Sequence, residues 1–145
     1  MIKLDIVIPV YNEAENILQL LKAFENEINC NFRVLICYDK DDDTTLKKLE
    51  KQNSTNKEIL LIKNPKHGPN SAIIQGINLS KAEIILIYMA DDFENVKLIN
   101  KMVNLIEQGY HLIIPSRFVP GGKMKGAKKI KKIFTVFGSY LIYYI

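Results

Sequence analysis

Five short, nearly continuous apolar runs alternate with stretches of helical spacing, and this alternation limits the folds open to the chain more than any other feature. The runs occupy residues 4–10, 32–38, 58–62, 83–88 and 111–114, and each is rich in branched side chains. Apolar runs of this length, without strict polar alternation, suit strands covered on both faces, as in a parallel sheet. Between them Ile17, Leu21, Phe24 and Ile28 fall on one helical stripe, and Leu46 with Leu49, Ile73 with Ile77, and Ile99 with Val103 and Ile106 repeat the pattern. Asn12, with Glu15 three residues on, has the form of a capping box opening the first helix. The resulting βαβαβαβαβ order predicts an open, mostly parallel α/β sheet with right-handed crossovers and helices on both faces.

A chain of 145 residues fits one such domain, and 48% hydrophobic with 25% charged residues excludes a disordered or fibrous chain. The net charge of +4 is unevenly spread: Lys123, Lys125, Lys128, Lys129, Lys131 and Lys132 crowd one stretch, whereas acidic clusters concentrate in residues 11–50. The basic pole calls for an anionic partner. Cys30 and Cys37 flank an apolar run without metal-ligand spacing, so reduced, buried thiols and a cytoplasmic setting are expected. The first ten residues read as a strand rather than a signal peptide. Residues 133–145 are strongly apolar but only thirteen long, short of the roughly 20 helical residues that cross a bilayer.

In open α/β sheets, ligands bind beyond the carboxyl ends of the strands. The residues following the runs are Tyr11-Asn12-Glu13, Asp39-Lys40-Asp41-Asp42-Asp43, the segment from Lys63 to Gly68, Ala90-Asp91-Asp92 and Pro115-Ser116-Arg117. Nearly every unusual polar cluster therefore lands on one edge. Glycine at Gly68 permits close backbone approach ahead of a helix start that favours anions. Arg117 carries a planar fork suited to phosphate. His67 has no carboxylate near it in sequence and is assigned no chemistry. Four carboxylates packed between Asp39 and Asp43 repel one another and need solvent, Lys40 or a cation to relieve them.

The segments DIVIPVYNEAENI, YDKDDDTT, NPKHGPNSAIIQGIN, IYMADDFEN and PSRFVPGGK occur in the order and approximate spacing of family 2 glycosyltransferases. The chain resembles the GT-A catalytic domain of that family, in the branch of dolichyl-phosphate and polyprenyl-phosphate sugar transferases. The resemblance runs from about residue 3 to 122 and implies a Rossmann-like GT-A core over 1–122, with 123–145 as a basic then apolar segment. That segment fits either an anionic membrane surface or a core helix whose partners lie elsewhere.

The same resemblance implies a hexosyltransferase that moves a sugar from a nucleotide-diphospho-sugar to an acceptor such as a polyprenyl phosphate, at the cytoplasmic face of a membrane. Pro9, Tyr11, Glu13 and Asp39 match its nucleoside contacts, and the loop of Lys66 and Gly68 approaches the diphosphate or the nucleoside. Asp91 and Arg117 match the groups that act on the leaving phosphate. The family's Asp-x-Asp triplet aligns with Met89-Ala90-Asp91, so a thioether replaces the first carboxylate. Mg²⁺ or Mn²⁺ would then rest on Asp91 alone with phosphates and water, or recruit Asp92 or Glu94. Nucleic acid is not an expected partner.

A nucleotidylyltransferase is disfavoured because no glycine-rich basic opening follows Val10, and a dinucleotide dehydrogenase because no Gly-x-Gly-x-x-Gly does. The substitution at Met89 keeps a second class open, a non-catalytic or truncated nucleotide-sugar-binding module.

Overall fold

The computed structural model describes residues 2–51 and 58–116. The chain divides into two compact units, Met1–His111 and Leu112–Ile145, and every element below belongs to the first. Four strands, β1 (Leu4–Val10), β2 (Phe32–Tyr38), β3 (Glu58–Lys63) and β4 (Ile84–Ile87), pair in the order β3-β2-β1-β4. All three pairings are parallel, with Val7 opposite Leu35 on one side and Ile87 on the other. The helices are α1 (Ile17–Glu27), α2 (Thr44–Glu50), α3 (Pro69–Leu79) and α4 (Ile99–Glu107), the last preceded by a 3₁₀ turn over Val96–Leu98.

The expected α/β arrangement is thus present, and its cause is visible in the burial of β1, whose seven residues are all buried. Leu4, Ile6 and Ile8 point to one face, where they meet Val34, Ile36, Ile17, Leu20, Phe24, Ile99 and Val103. Val7 points to the other and joins Leu35, Cys37, Ile62 and Ala72 beneath α3. Phe24 is the first face's largest fully buried side chain, with the rings of Phe32 and Tyr88 edge-on to it at 6.3 and 5.3 Å. Pro9 supplies no N–H, and it is tolerated because pairing with β4 has already ended at Val7.

Three local expectations change. Residues 111–114 form no strand, because an extended run becomes one only where a neighbour takes its hydrogen bonds, and no described strand pairs with them. Asn12 does not cap α1. The cap position is Asn16, and Asn12 sits at φ 59° with its side chain turned to another loop. On α3 the buried positions are Ala72 and Gly76, not the isoleucine stripe of Ile73 and Ile77. A Cβ on Gly76 would lie 2.8 Å from Cys37 Sγ and closer still to Val7, so the helix can approach the sheet only through its small residues.

Cys37 is fully buried and Cys30 half-buried, both free, and burial pushes the Cys37 thiol up to about 11, which leaves it inert. No described helix is long and apolar enough to cross a membrane.

The opposite edge of the sheet is held by an ion pair. Asp5, fully buried, accepts from Arg33 Nε at 2.9 Å and Nη2 at 2.7 Å, from Ser80 Oγ at 2.7 Å and from the Lys81 N–H at 3.1 Å. Burial alone would raise the Asp5 pKa, but the bonds from Arg33, Ser80 and Lys81 outweigh it and hold the carboxyl below its usual range. Replacing Asp5 with Asn strands a largely buried guanidinium and should lower unfolding free energy by about 3 kcal/mol in urea titrations near neutral pH. With the folded pKa depressed, this contribution is complete above about pH 4. It disappears as pH falls through the folded value, so the gap between wild type and Asp5→Asn should narrow in acid.

Candidate functional site

Because all four strands run in the same direction, their carboxyl ends and the loops that follow share one edge. Those loops are tied to one another by side chains. Asn12 donates its backbone N–H to both oxygens of Asp43 at 3.2 and 3.1 Å, and its side-chain oxygen accepts from the Thr44 N–H at 3.2 Å. Glu13 donates its N–H to Thr45 Oγ1 at 2.9 Å. Asp43 also caps α2 by accepting from the Thr45 N–H at 2.8 Å. The left-handed backbone at Asn12, tolerable for an asparagine, is what turns its amide toward the second loop. Tyr11, just before it, is 66% exposed at the end of β1, free to offer a ring face. Glu13 keeps its carboxylate on Asn16 Nδ2 at 2.7 Å.

A second tie joins the loops after β2 and β3. Asp39 accepts from Asn64 Nδ2 at 2.7 Å through one oxygen and from the Gly68 N–H at 2.8 Å through the other. The Gly68 bond is the main reason the Asp39 carboxyl lies below its ordinary range; partial burial opposes it, and Asn64, His67 and Lys40 add to it. His67 Nδ1 stands 3.9 Å from Asp39. The carboxylate partner that sequence proximity did not reveal for His67 therefore comes from the neighbouring loop.

Asn64 is the residue that sequence reasoning passed over. It is buried, its side-chain oxygen accepts from the Lys66 N–H at 3.1 Å and Ser71 Oγ at 2.8 Å, and its amide also reaches the Gly68 carbonyl at 3.3 Å. The signal was the Asn-Pro pair ending an apolar strand four residues before a glycine, which marks a turn built on an asparagine side chain. Gly68 holds φ 101° and ψ 154°, open only to glycine, and that geometry presents its N–H to Asp39. Lys66 is exposed.

In the acidic loop of residues 39–43, neighbouring donors relieve much of the repulsion: Asn64 and Gly68 at Asp39, Lys63 at Asp41, and backbone amides at Asp43.

After β4, Tyr88 turns back into the core and donates its N–H to Val7 O. Its hydroxyl is a buried side-chain polar atom without a partner among the described residues. Burial first and the negative charge of Asp92 second push the phenol far above its usual range, so it stays neutral. Asp92 accepts from the Asn95 N–H at 3.2 Å and from Asn95 Nδ2 at 3.0 and 2.8 Å, which ties it to the residue just before the 3₁₀ turn. Asp91 is exposed, and no hydrogen bond or ion pair engages its side chain among the described residues.

Met89, 53% exposed, offers only a thioether to a hard cation. The described residues contain no group of three or more His, Cys, Asp or Glu placed to hold a metal. This donor set fits a Mg²⁺-like ion that takes one or two carboxylates and completes its shell with phosphate and water, not an all-protein cage. Arg117, Gly121, Gly122 and the segment 123–145 lie outside the described residues.

The model of Glycosyl transferase family 2 matches residues 5–144. A dolichol-phosphate mannosyltransferase of Pyrococcus furiosus is 26% identical over 134 residues, which cover 92% of this chain and 38% of that protein. An undecaprenyl-phosphate 4-deoxy-4-formamido-L-arabinose transferase of Pseudomonas savastanoi pv. phaseolicola is 29% identical over 74% of this chain and 34% of its own length. The chain thus spans little more than a third of these relatives. Among solved structures, S. aureus TarS 1-349 superposes with a TM-score of 0.60 at 20% identity, covering 82% of this chain and 40% of that one. The same fragment in complex with UDP gives 0.60 over 80% and 39%. These likenesses identify the sheet as the GT-A arrangement.

An alanine at Gly68 would be forced into backbone that L-residues rarely adopt and would pull its N–H from Asp39. Gly68→Ala should cost about 1–3 kcal/mol of stability in chemical denaturation, although open space surrounds the added methyl.

Proposed function

This chain belongs to glycosyl transferase family 2, and on that footing we propose that it transfers a sugar from a nucleotide-diphospho-sugar to the phosphate of a polyprenyl lipid. The observation that carries the proposal is the division of labour along the carboxyl edge, where Asp92 is held by Asn95 while Asp91 keeps its carboxylate open at the strand end. The two relatives, named as transferases of dolichol phosphate and undecaprenyl phosphate, support the acceptor class. The complexes of TarS with UDP and UDP-GlcNAc support a nucleotide-sugar donor.

In this reading Tyr11 packs against the base, Pro9 and Glu13 line the nucleoside, and Asp39 accepts from the base edge through lone pairs left by Asn64 and Gly68. Lys66 and Arg117 face the phosphates. An acceptor phosphate oxygen attacks the anomeric carbon; the new C–O bond forms as the bond to the diphosphate breaks, and the nucleoside diphosphate departs with that electron pair. An anionic acceptor needs no general base. A divalent cation held by Asp91, with Asp92 as a second ligand once released from Asn95, supplies charge neutralisation to the departing diphosphate. The lysine-rich stretch from Lys123 and the apolar residues after it are assigned to an anionic membrane surface, which sets the chain at a cytoplasmic face.

The thioether at Met89 favours a second reading, a donor-binding module that does not turn over. Calorimetric titration of nucleotide-sugars with and without Mn²⁺, followed by assay on a polyprenyl phosphate, separates the two. Transfer establishes the enzyme, binding without transfer the module, and absence of nucleotide binding removes both. Asp91→Ala should abolish the divalent-cation dependence of donor binding and lower transfer roughly 100-fold. Met89→Asp restores a carboxylate pair and should strengthen that dependence.

A further inference from the structure

We propose that Asn64 is a positioning residue that sets base selectivity by holding the Asp39 carboxylate in one orientation. The inference rests on the donor-binding reading above and deepens it. An exposed aspartate at a strand end rotates among staggered positions, and a carboxylate that must tell one base edge from another cannot do so while it rotates. Asn64 removes that freedom. Its amide donates to one Asp39 oxygen at 2.7 Å, and the Gly68 N–H takes the other at 2.8 Å.

Asn64 itself cannot swing or flip. Its oxygen is held by the Lys66 N–H at 3.1 Å and Ser71 Oγ at 2.8 Å, and its own backbone N–H donates to Tyr38 O at 2.7 Å. Amide and carbonyl are thus assigned by their partners, since an exchanged amide would set a donor against the Lys66 N–H and an acceptor against the Asp39 carboxylate and the Gly68 carbonyl. One buried side chain links the end of β2, the loop after β3 and the first turn of α3. Its bonds leave lone pairs on both Asp39 oxygens for a ligand.

The test is equilibrium binding of the full chain to UDP, GDP, ADP, CDP and dTDP, with base selectivity read as the ratio of Kd values between the tightest and the other nucleotides. Loss of stability alone scales every Kd alike and leaves that ratio unchanged. Asn64→Asp keeps the shape but sets a second carboxylate against Asp39, where His67 and Lys40 are the cationic groups that act on it among the described residues. At pH 7.5 its selectivity ratio should fall on the order of tenfold. Near pH 5 or so, a proton shared between the two carboxylates restores a donor, and selectivity should return. The wild type followed over the same pH range separates this recovery from any other effect of acid on binding.

Ser71→Ala, which loosens Asn64 from behind, should reduce the ratio a few-fold and serves if Asn64→Asp does not fold by circular dichroism. A folded variant with unchanged selectivity at pH 7.5 overturns the proposal, as does a wild type that binds these nucleotides without discrimination. A wild type that binds none of them overturns the donor reading itself and this inference with it.

Discussion

The parallel pairing of β1 on both of its sides is the constraint from which the rest follows. A strand buried on both faces, with β2 and β4 hydrogen-bonded to its two edges, can be reached only by crossovers that pass over the sheet. Those crossovers supply α1 to one face and α3 to the other, and α4, which follows β4, packs on the α1 face. They also oblige every strand to end on the same side, so four loops meet where one ligand can touch them all. The small-residue face of α3 serves the same geometry, because Gly76 lets the helix settle onto Val7 and Cys37 and brings its first turn down beside Asp39.

Meeting loops create an electrostatic problem, since the sequence loads this edge with carboxylates. The solution is to give most of them fixed donors. Asp43 receives amides from two loops, Asp39 an amide side chain and a glycine N–H, Asp41 an ammonium, and Asp92 an asparagine. The part-buried bonds to Asp39 and Asp43 contribute more than neutral ones, whereas the exposed Lys63–Asp41 pair adds little, so the acids stiffen the edge they would otherwise split. Acidity here has two uses, architecture and ligand capture, and among the described residues Asp91, like Asp42, meets no internal donor.

That distinction explains what could be read in the sequence. The strands at 4–10 and 32–38, the α1 stripe and the location of the polar clusters were legible because burial on two faces leaves a strong one-dimensional trace. The family was legible because its five motifs are short, ordered and local. Roles within the clusters were not. Asp39 and His67 are separated by 28 positions yet lie 3.9 Å apart, and Asn64 draws partners from two other elements. Such pairings depend on how loops fold against each other. Asn12 illustrates the reverse error: with Glu15 it satisfies a local capping pattern, but a longer-range partner, Asp43, takes its amide and Thr44 its side chain. Local pattern loses where a buried, charged acceptor competes for the same group.

The two edges of the sheet solve opposite problems by related means. At the amino edge, Asp5 meets a guanidinium in bidentate contact and also accepts from Ser80 Oγ and the Lys81 N–H, so this buried carboxylate is left nothing for a ligand. At the carboxyl edge, Asp39 and Asp43 are held by single N–H groups from asparagine, glycine and threonine, neutral donors that fix direction without cancelling charge. A carboxylate oriented by neutral donors retains its net charge and its spare lone pairs, and so it can still choose between ligands. One fully neutralised by arginine cannot. The choice of partner, more than the number of acids, separates the edge that binds from the edge that only holds the sheet together.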